Sequence, residues 1–69
     1  MNTFKWLQVH DWLFTLPSNM GTVRETLFSG WVPQVIVNGV ATDLPNCPDA
    51  DTAKCAVEDY WRAAWAMKP

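Results

Sequence analysis

The dipeptide Asn38-Gly39, which lies between two short runs rich in β-branched residues, constrains the fold more than any other feature of the sequence. Both positions of a two-residue hairpin turn need positive φ, which Asn and Gly adopt at low cost. The pattern therefore predicts a β-hairpin with strands at residues 34–37 and 40–43. An isolated two-stranded hairpin is marginal in water, so this hairpin must pack against other elements.

Helical spacing of apolar residues predicts two short helices before the hairpin. The first covers residues 9–16 and is ended by Pro17. Ser18 or Asn19 can cap a second helix that runs through Phe28. The side chains of that helix expected to face the core are Met20, Val23 and Leu27.

A third helix is predicted over residues 49–67. Asp49 and Asp51 stand at its start, where negative charge complements the helix dipole. Apolar side chains three and four positions apart form a wide face along it, which includes Trp61 and Trp65. We expect most of these aromatic side chains to belong to the core.

These elements predict an α+β fold, a small winged helix-turn-helix with two short helices, a β-hairpin wing and a C-terminal helix. A chain of 69 residues is one domain with a small core. Five Trp, three Phe and one Tyr supply large buried areas to that core. The helix-turn-helix and wing would occupy residues 9–43 of the single domain 1–69, and the C-terminal helix residues 49–67.

Charge and hydropathy exclude several classes of protein. The net charge of −2 is unsuited to a binder of RNA or membrane surfaces that relies on bulk positive charge. The longest apolar runs, of about four residues, are far too short for a transmembrane helix. The first residues carry one positive charge and no apolar segment, so we expect no signal peptide and a cytoplasmic protein without membrane contact.

The potentially reactive side chains form no recognisable catalytic or metal site. Cys47 and Cys55, with His10 as the only histidine, are too few for a four-ligand zinc site, so no metal is expected. In the cytoplasm we expect the two cysteines to be reduced thiols. The sequence has no nucleophile–base constellation and no phosphate-binding loop. We therefore expect no enzyme activity and no cofactor.

Four short motifs follow one another in a fixed order. They are Val-His-Asp-Trp at 9–12, Ser-Asn-Met-Gly-Thr-Val-Arg at 18–24, Ser-Gly-Trp-Val-Pro at 29–33 and Val-Asn-Gly at 37–39. In this order they resemble the first helix, recognition-helix entry, exit and wing turn of phage excisionases and Cox-type regulators. AlpA-like and MerR-like heads are more loosely similar. The resemblance covers residues 9–43.

The resemblance implies a non-catalytic protein that binds double-stranded DNA. Proteins of this type act in prophage excision as recombination directionality factors and repress transcription. By position, Thr22 and Arg24 would lie on the recognition helix, Asn19 at its entry and Asn38 at the wing tip. An Arg contacts phosphate or guanine, and an Asn can pair with adenine. Arg24 is, however, the only basic residue between Thr22 and Asp51.

This scarcity of basic residues keeps a second function class open, a small phage-derived interaction protein that inhibits a host protein through an aromatic surface. Five Trp are many for one small core. Tryptophan is enriched at binding hot spots, so an exposed Trp31, Trp61 or Trp65 would mark an interface. Through the C-terminal helix, Trp61 and Trp65 would contact an integrase or a second copy of the chain.

Overall fold

The protein folds into an antiparallel sheet followed by one long helix. The computed structural model describes residues 4–28 and 30–66, apart from the side chain of Asn19. The strands are β1 Leu7–His10, β2 Leu13–Thr15, β3 Gly21–Thr26, β4 Gly30–Val37 and β5 Val40–Asp43. They form a five-stranded sheet in the order β1-β2-β3-β4-β5. A short 3-10 helix, Pro17–Asn19, connects β2 to β3, and helix α1, Ala50–Ala66, follows β5.

The predicted winged helix-turn-helix is wrong, because both segments predicted as short helices form strands. Residues 9–16 belong largely to the hairpin of β1 and β2, and residues 18–28 belong largely to β3. In β3, the β-branched residues Thr22, Val23 and Thr26 favour extended backbone, where their side chains pack against neighbouring strands. The chain therefore has no recognition helix in the region where the excisionase resemblance placed one.

Two predicted elements agree with the structure. Strands β4 and β5 form a hairpin closed by the pair Val37 and Val40, and its two turn residues have positive φ, 53° at Asn38 and 80° at Gly39. Helix α1 lies within the predicted residues 49–67, of which residue 67 is outside the described part of the chain. The hairpin is part of a continuous sheet instead of a separate wing.

The core lies between α1 and one face of the sheet. Its buried side chains come from the N-terminal segment, the loop after β2, strands β3 and β4, and the helix. They are Phe4, Leu16, Val23, Val35, Ala53 and Val57. Of the side chains expected in the core, Val23 is fully buried and Met20 is half-buried. The expectation for Leu27 is wrong, because this side chain is 92% exposed in the turn between β3 and β4.

The antiparallel order places the connections alternately at the two ends of the sheet. The β1–β2 turn and the β3–β4 turn lie at one end. Backbone hydrogen bonds between Trp31 and Cys47 bring the segment before α1 to the same end. The 3-10 helix and the Asn38-Gly39 turn lie at the opposite end.

Candidate functional site

Three large apolar side chains project from the end of the sheet that carries the β1–β2 and β3–β4 turns. Leu27 is 92% exposed, Phe28 is 96% exposed and Trp12 is 46% exposed. We refer to these three residues as the apolar tip. Large exposed apolar groups that lie close together mark binding surfaces more often than isolated ones do.

Hydrogen bonds hold the two turns of the apolar tip together. The backbone N–H of Glu25 donates to the carbonyl oxygen of Trp12 at 2.9 Å, so the β1–β2 turn is fixed to the end of β3. The hydroxyl of Thr26 donates to the carbonyl oxygen of Gly30 at 3.0 Å across the β3–β4 turn. The backbone that carries the apolar tip is therefore tied to the sheet on both sides of the β3–β4 turn.

A half-open cleft lies beside the apolar tip. It has a volume of about 380 Å³ and is lined by Trp12, Glu25, Thr26 and Leu27. The indole of Trp12 stacks on the imidazole of His10, with ring centroids 4.9 Å apart and planes 14° from parallel. The lining thus consists of one aromatic, one acidic, one hydroxyl-bearing and one aliphatic residue.

Acidic residues are concentrated in the segments at this end of the sheet. Of the seven acidic residues in the chain, four belong to the segments gathered here: Asp11, Glu25, Asp49 and Asp51. Two basic residues lie near them. Arg24 is exposed on β3, and Lys54 lies on α1 with its ammonium 3.8 Å from the centre of the Phe14 ring. The carboxylates are therefore in excess around the apolar tip.

Asp49 also caps helix α1. The backbone N–H of Thr52 donates to Oδ1 of Asp49 at 2.7 Å, which satisfies one of the free N–H groups in the first turn. This backbone hydrogen bond, helped by the Thr52 side chain, lowers the pKa of Asp49 below its ordinary value. Asp49 thus remains ionised and adds to the negative charge at this end.

Two of the residues predicted to contact DNA lie together on the sheet face that α1 leaves open. Because side chains alternate along a strand and Val23 faces the helix, Thr22 and Arg24 point the other way. The hydroxyl of Thr22 is 3.4 Å from Oε1 of Gln34 on β4. Arg24 is exposed and stands opposite Val32 of β4.

The other two predicted DNA contacts lie elsewhere. Asn38 is in the β4–β5 turn, at the end of the sheet opposite the apolar tip. Asn19 ends the 3-10 helix at that same end, and its side chain lies outside the described part of the structure. The structure therefore brings Thr22 and Arg24 together on one face but places Asn38 away from them.

The aromatic side chains of α1 attach the helix to the rest of the protein. The indole N–H of Trp61 donates to the carbonyl oxygen of Met20 at 3.0 Å, and Trp61 packs against the core. Trp65 stacks on Phe4 with ring centroids 5.5 Å apart and remains 40% exposed. The indole N–H of Trp6 donates to Glu58 at 2.8 Å. Most of this aromatic surface is used within the fold.

Cys47 and Cys55 are free thiols, half-buried and exposed respectively. Burial, and secondarily the negative charge of Asp49, raises the pKa of Cys47, so this thiol is a weak nucleophile at neutral pH. Within residues 4–28 and 30–66, no cluster of His, Cys, Asp and Glu could hold a metal ion. No helix in that part of the chain has the length and apolar character needed to cross a membrane.

Comparison with known proteins finds no matching family model, no matching curated protein and no matching solved structure. The excisionase resemblance consequently depends on the short motifs of residues 9–43 alone. Sequence reasoning missed the apolar tip, since it assigned Leu27 to a helix face. The signal that could have revealed it is the adjacent pair Leu27-Phe28 just before Gly30, in a segment whose β-branched residues favour a strand and a turn.

Proposed function

We propose that the protein is a non-catalytic interaction module that docks its apolar tip onto a partner protein. One observation carries this proposal: Leu27 and Phe28 are almost fully exposed at the same end of the sheet as the partly exposed Trp12. Burying two large apolar side chains in a partner is worth about 1.5–3 kcal/mol each, a gain that folding of this chain leaves unused. A tryptophan at the edge of such a patch is a frequent binding hot spot.

The charges around the apolar tip indicate what kind of partner fits. Asp11, Glu25, Asp49 and Asp51 would repel DNA phosphates and the headgroups of an anionic membrane. A second copy docked tip to tip would bring the acidic residues of both copies together, which is unfavourable because like charges repel. Lysine and arginine side chains around an apolar groove of the partner would complement these four acidic residues. The proposed occupant is therefore a protein with a basic-rimmed apolar groove.

DNA binding of the excisionase type is the second candidate function. Its support is the pair Thr22 and Arg24, which share the open face of β3. One guanidinium contributes only about 0.9 to the slope of log affinity against log salt, so an interaction carried by Arg24 would be weak and salt-sensitive. The acidic end of the sheet favours a protein partner over DNA.

The proposal is tested by selecting binders from a random peptide library displayed on phage, with the immobilised protein as target. The selected peptides are then compared on two variants. Phe28→Ser removes the most exposed side chain of the apolar tip, and Val40→Ser is the matched control, since Val40 is also exposed, 63%, but lies at the other end of the sheet. Unfolding curves of both variants establish that they are folded.

We expect enriched peptides to combine apolar anchors with Lys or Arg. They should lose most of their affinity for Phe28→Ser, by about tenfold or more given the area removed, and keep it for Val40→Ser. Enrichment of acidic peptides, equal binding to parent and Phe28→Ser, or no enrichment at all would overturn the proposal. Salt-sensitive binding of a mixed-sequence DNA duplex in a parallel titration would support the second candidate.

A further inference from the structure

We propose that the cleft beside the apolar tip binds an arginine side chain, and that this arginine belongs to the basic rim of the partner. The inference rests on the proposed function and specifies its ligand chemistry. The cleft of about 380 Å³ brings Trp12 and Glu25 into one lining. A cation on a flexible side chain can interact with both residue types: with the aromatic ring through a cation–π contact and with the carboxylate through a charge-assisted hydrogen bond.

Trp12 is held in place before any ligand binds. Its carbonyl oxygen accepts the 2.9 Å hydrogen bond from the N–H of Glu25, and its ring stacks on His10 at 4.9 Å. Stacking on His10 uses one face of the indole. The other face is the one that a ligand in the cleft lined by Trp12 would contact. A ring already fixed by its neighbours loses little conformational freedom on binding, which favours the bound state.

Glu25 has an unused charge. Its carboxylate makes no ion pair with any residue that the structure describes, whereas Glu58 and Asp59 both pair with Arg62. The adjacent Arg24 points to the opposite face of β3 because side chains alternate along the strand. The Glu25 carboxylate, which belongs to a residue of the same cleft lining as Trp12, therefore has no ion pair within the described residues and can receive a cation supplied from outside.

Arginine fits the lining better than lysine does. The planar guanidinium can stack on the Trp12 ring while its N–H groups donate to the Glu25 carboxylate. Leu27, which also lines the cleft, can contact the aliphatic part of the arginine stem. A lysine ammonium is a compact, strongly hydrated charge that cannot stack in this way.

The test uses blocked amino acids as probes and follows their binding by NMR of the ¹⁵N-labelled 69-residue protein. The probes are N-acetyl-arginine amide, its lysine counterpart and the citrulline counterpart, which has nearly the shape of arginine but no charge. We expect the arginine probe to shift the indole N–H signal of Trp12 and the amide signals of Glu25 and Leu27, with a dissociation constant on the order of 1–10 mM. The lysine probe should bind more weakly, and the citrulline probe should leave these signals unmoved.

Two charge-matched variants assign the site. Glu25→Gln should weaken binding of the arginine probe by about fivefold, and Asp51→Asn, which removes the same charge outside the cleft lining, by less than about twofold. Trp12→Leu should remove the preference for arginine over lysine. Equal shifts from arginine and citrulline, or equal weakening by Glu25→Gln and Asp51→Asn, would overturn the arginine site.

This experiment separates the two proposals because it needs no partner. If selected peptides require Phe28 while the arginine probe leaves the Trp12 and Glu25 signals unmoved, the interaction module stands and the arginine site is wrong. If the arginine probe binds in the cleft while no peptide is enriched, the cleft binds arginine and the proposed docking function is wrong.

Discussion

Gly21 of β3 lies directly under Val57 of α1: a Cβ at Gly21 would be 2.9 Å from Cγ1 of Val57 and 2.7 Å from the backbone oxygen of Gln34. At this position the helix therefore reaches the backbone of β3, whereas the side chains of Val23 and Val35 pack under it. One turn later, Trp61 of α1 donates its indole N–H to Met20, the residue before Gly21. These contacts fasten the helix to the sheet and leave the other face open.

Gly21→Ala should destabilise the protein by about 1–3 kcal/mol, because the added methyl has to displace either the helix or the backbone of β4. Urea unfolding followed by tryptophan fluorescence measures the free energy of unfolding. The neighbouring Thr22→Ala, on the open face, is the control and should cost less than about 1 kcal/mol. Equal stability of Gly21→Ala and the parent would mean that α1 does not pack on β3 as described.

Trp61→Phe should cost about 1–2 kcal/mol, since an aromatic ring is kept but the hydrogen bond to the Met20 carbonyl and part of the indole volume are lost. Trp61→Ala should cost about 3 kcal/mol, because a large half-buried side chain is removed from beside the core. Tyr60→Phe is a suitable control: it keeps the edge-to-face contact with Trp61 and should leave thermal unfolding nearly unchanged. Unfolding curves of Trp61→Ala that coincide with the parent's would contradict this packing.

The stability contributed by the Asp49 cap should depend on pH. The hydrogen bond from the Thr52 N–H lowers the pKa of Asp49 in the folded protein below the unfolded value of about 3.9. The contribution is therefore fully present above the unfolded pKa and is lost as the pH falls through the folded pKa. Asp49→Ala should lower the melting temperature at pH 7, and the difference from the parent should shrink below about pH 4.

The control for this prediction is Asp51→Ala, which removes a carboxylate from the first turn of α1 without removing the cap. Its melting temperature should differ less from the parent's at pH 7 than that of Asp49→Ala does. A difference between Asp49→Ala and the parent that stays constant from pH 7 to pH 3 would show that the carboxylate charge is not what stabilises the helix start.

The sequence predicted the elements whose signals are local. Asn38-Gly39 specifies its own turn, and helical spacing over seventeen residues of α1 is long enough to be unambiguous. The first strands gave misleading signals. β2 has only three residues, and a register shift between Gln8 and His10 breaks the alternation expected along β1. Apolar residues of β1 and β2, on either side of the turn between them, therefore lie three and four positions apart, which is also the spacing of a helix face.

The candidate site was missed for a different reason. The apolar tip joins the β1–β2 turn to the β3–β4 turn, and these meet only because β2 and β3 are paired. Helical spacing with Met20 and Val23 made Leu27 resemble a core residue of an amphipathic helix and outweighed the turn signal of the Leu27-Phe28 pair before Gly30. Thr22 and Arg24 do share one face of the fold, but as alternate residues of a strand.

Arg24→Ala separates the two candidate functions at little cost to folding. Arg24 is exposed and makes no ion pair within the described residues, so its removal should change the free energy of unfolding by no more than about 0.5 kcal/mol. Binding of the selected peptides should be unchanged. If the protein binds a DNA duplex through this face, Arg24→Ala should lower the salt slope by about one phosphate contact. A large loss of peptide binding would place the docking surface on the open face.

The most direct test of the docking surface is an NMR footprint of a selected peptide on the ¹⁵N-labelled protein. We predict that the largest amide shifts cluster at residues 10–12 and 25–30, the two turns that carry the apolar tip. Signals of the Asn38-Gly39 turn and of the open face around Thr22 should move little. Largest shifts at residues 36–40, or along Thr22, Arg24 and Gln34, would contradict the proposed docking surface.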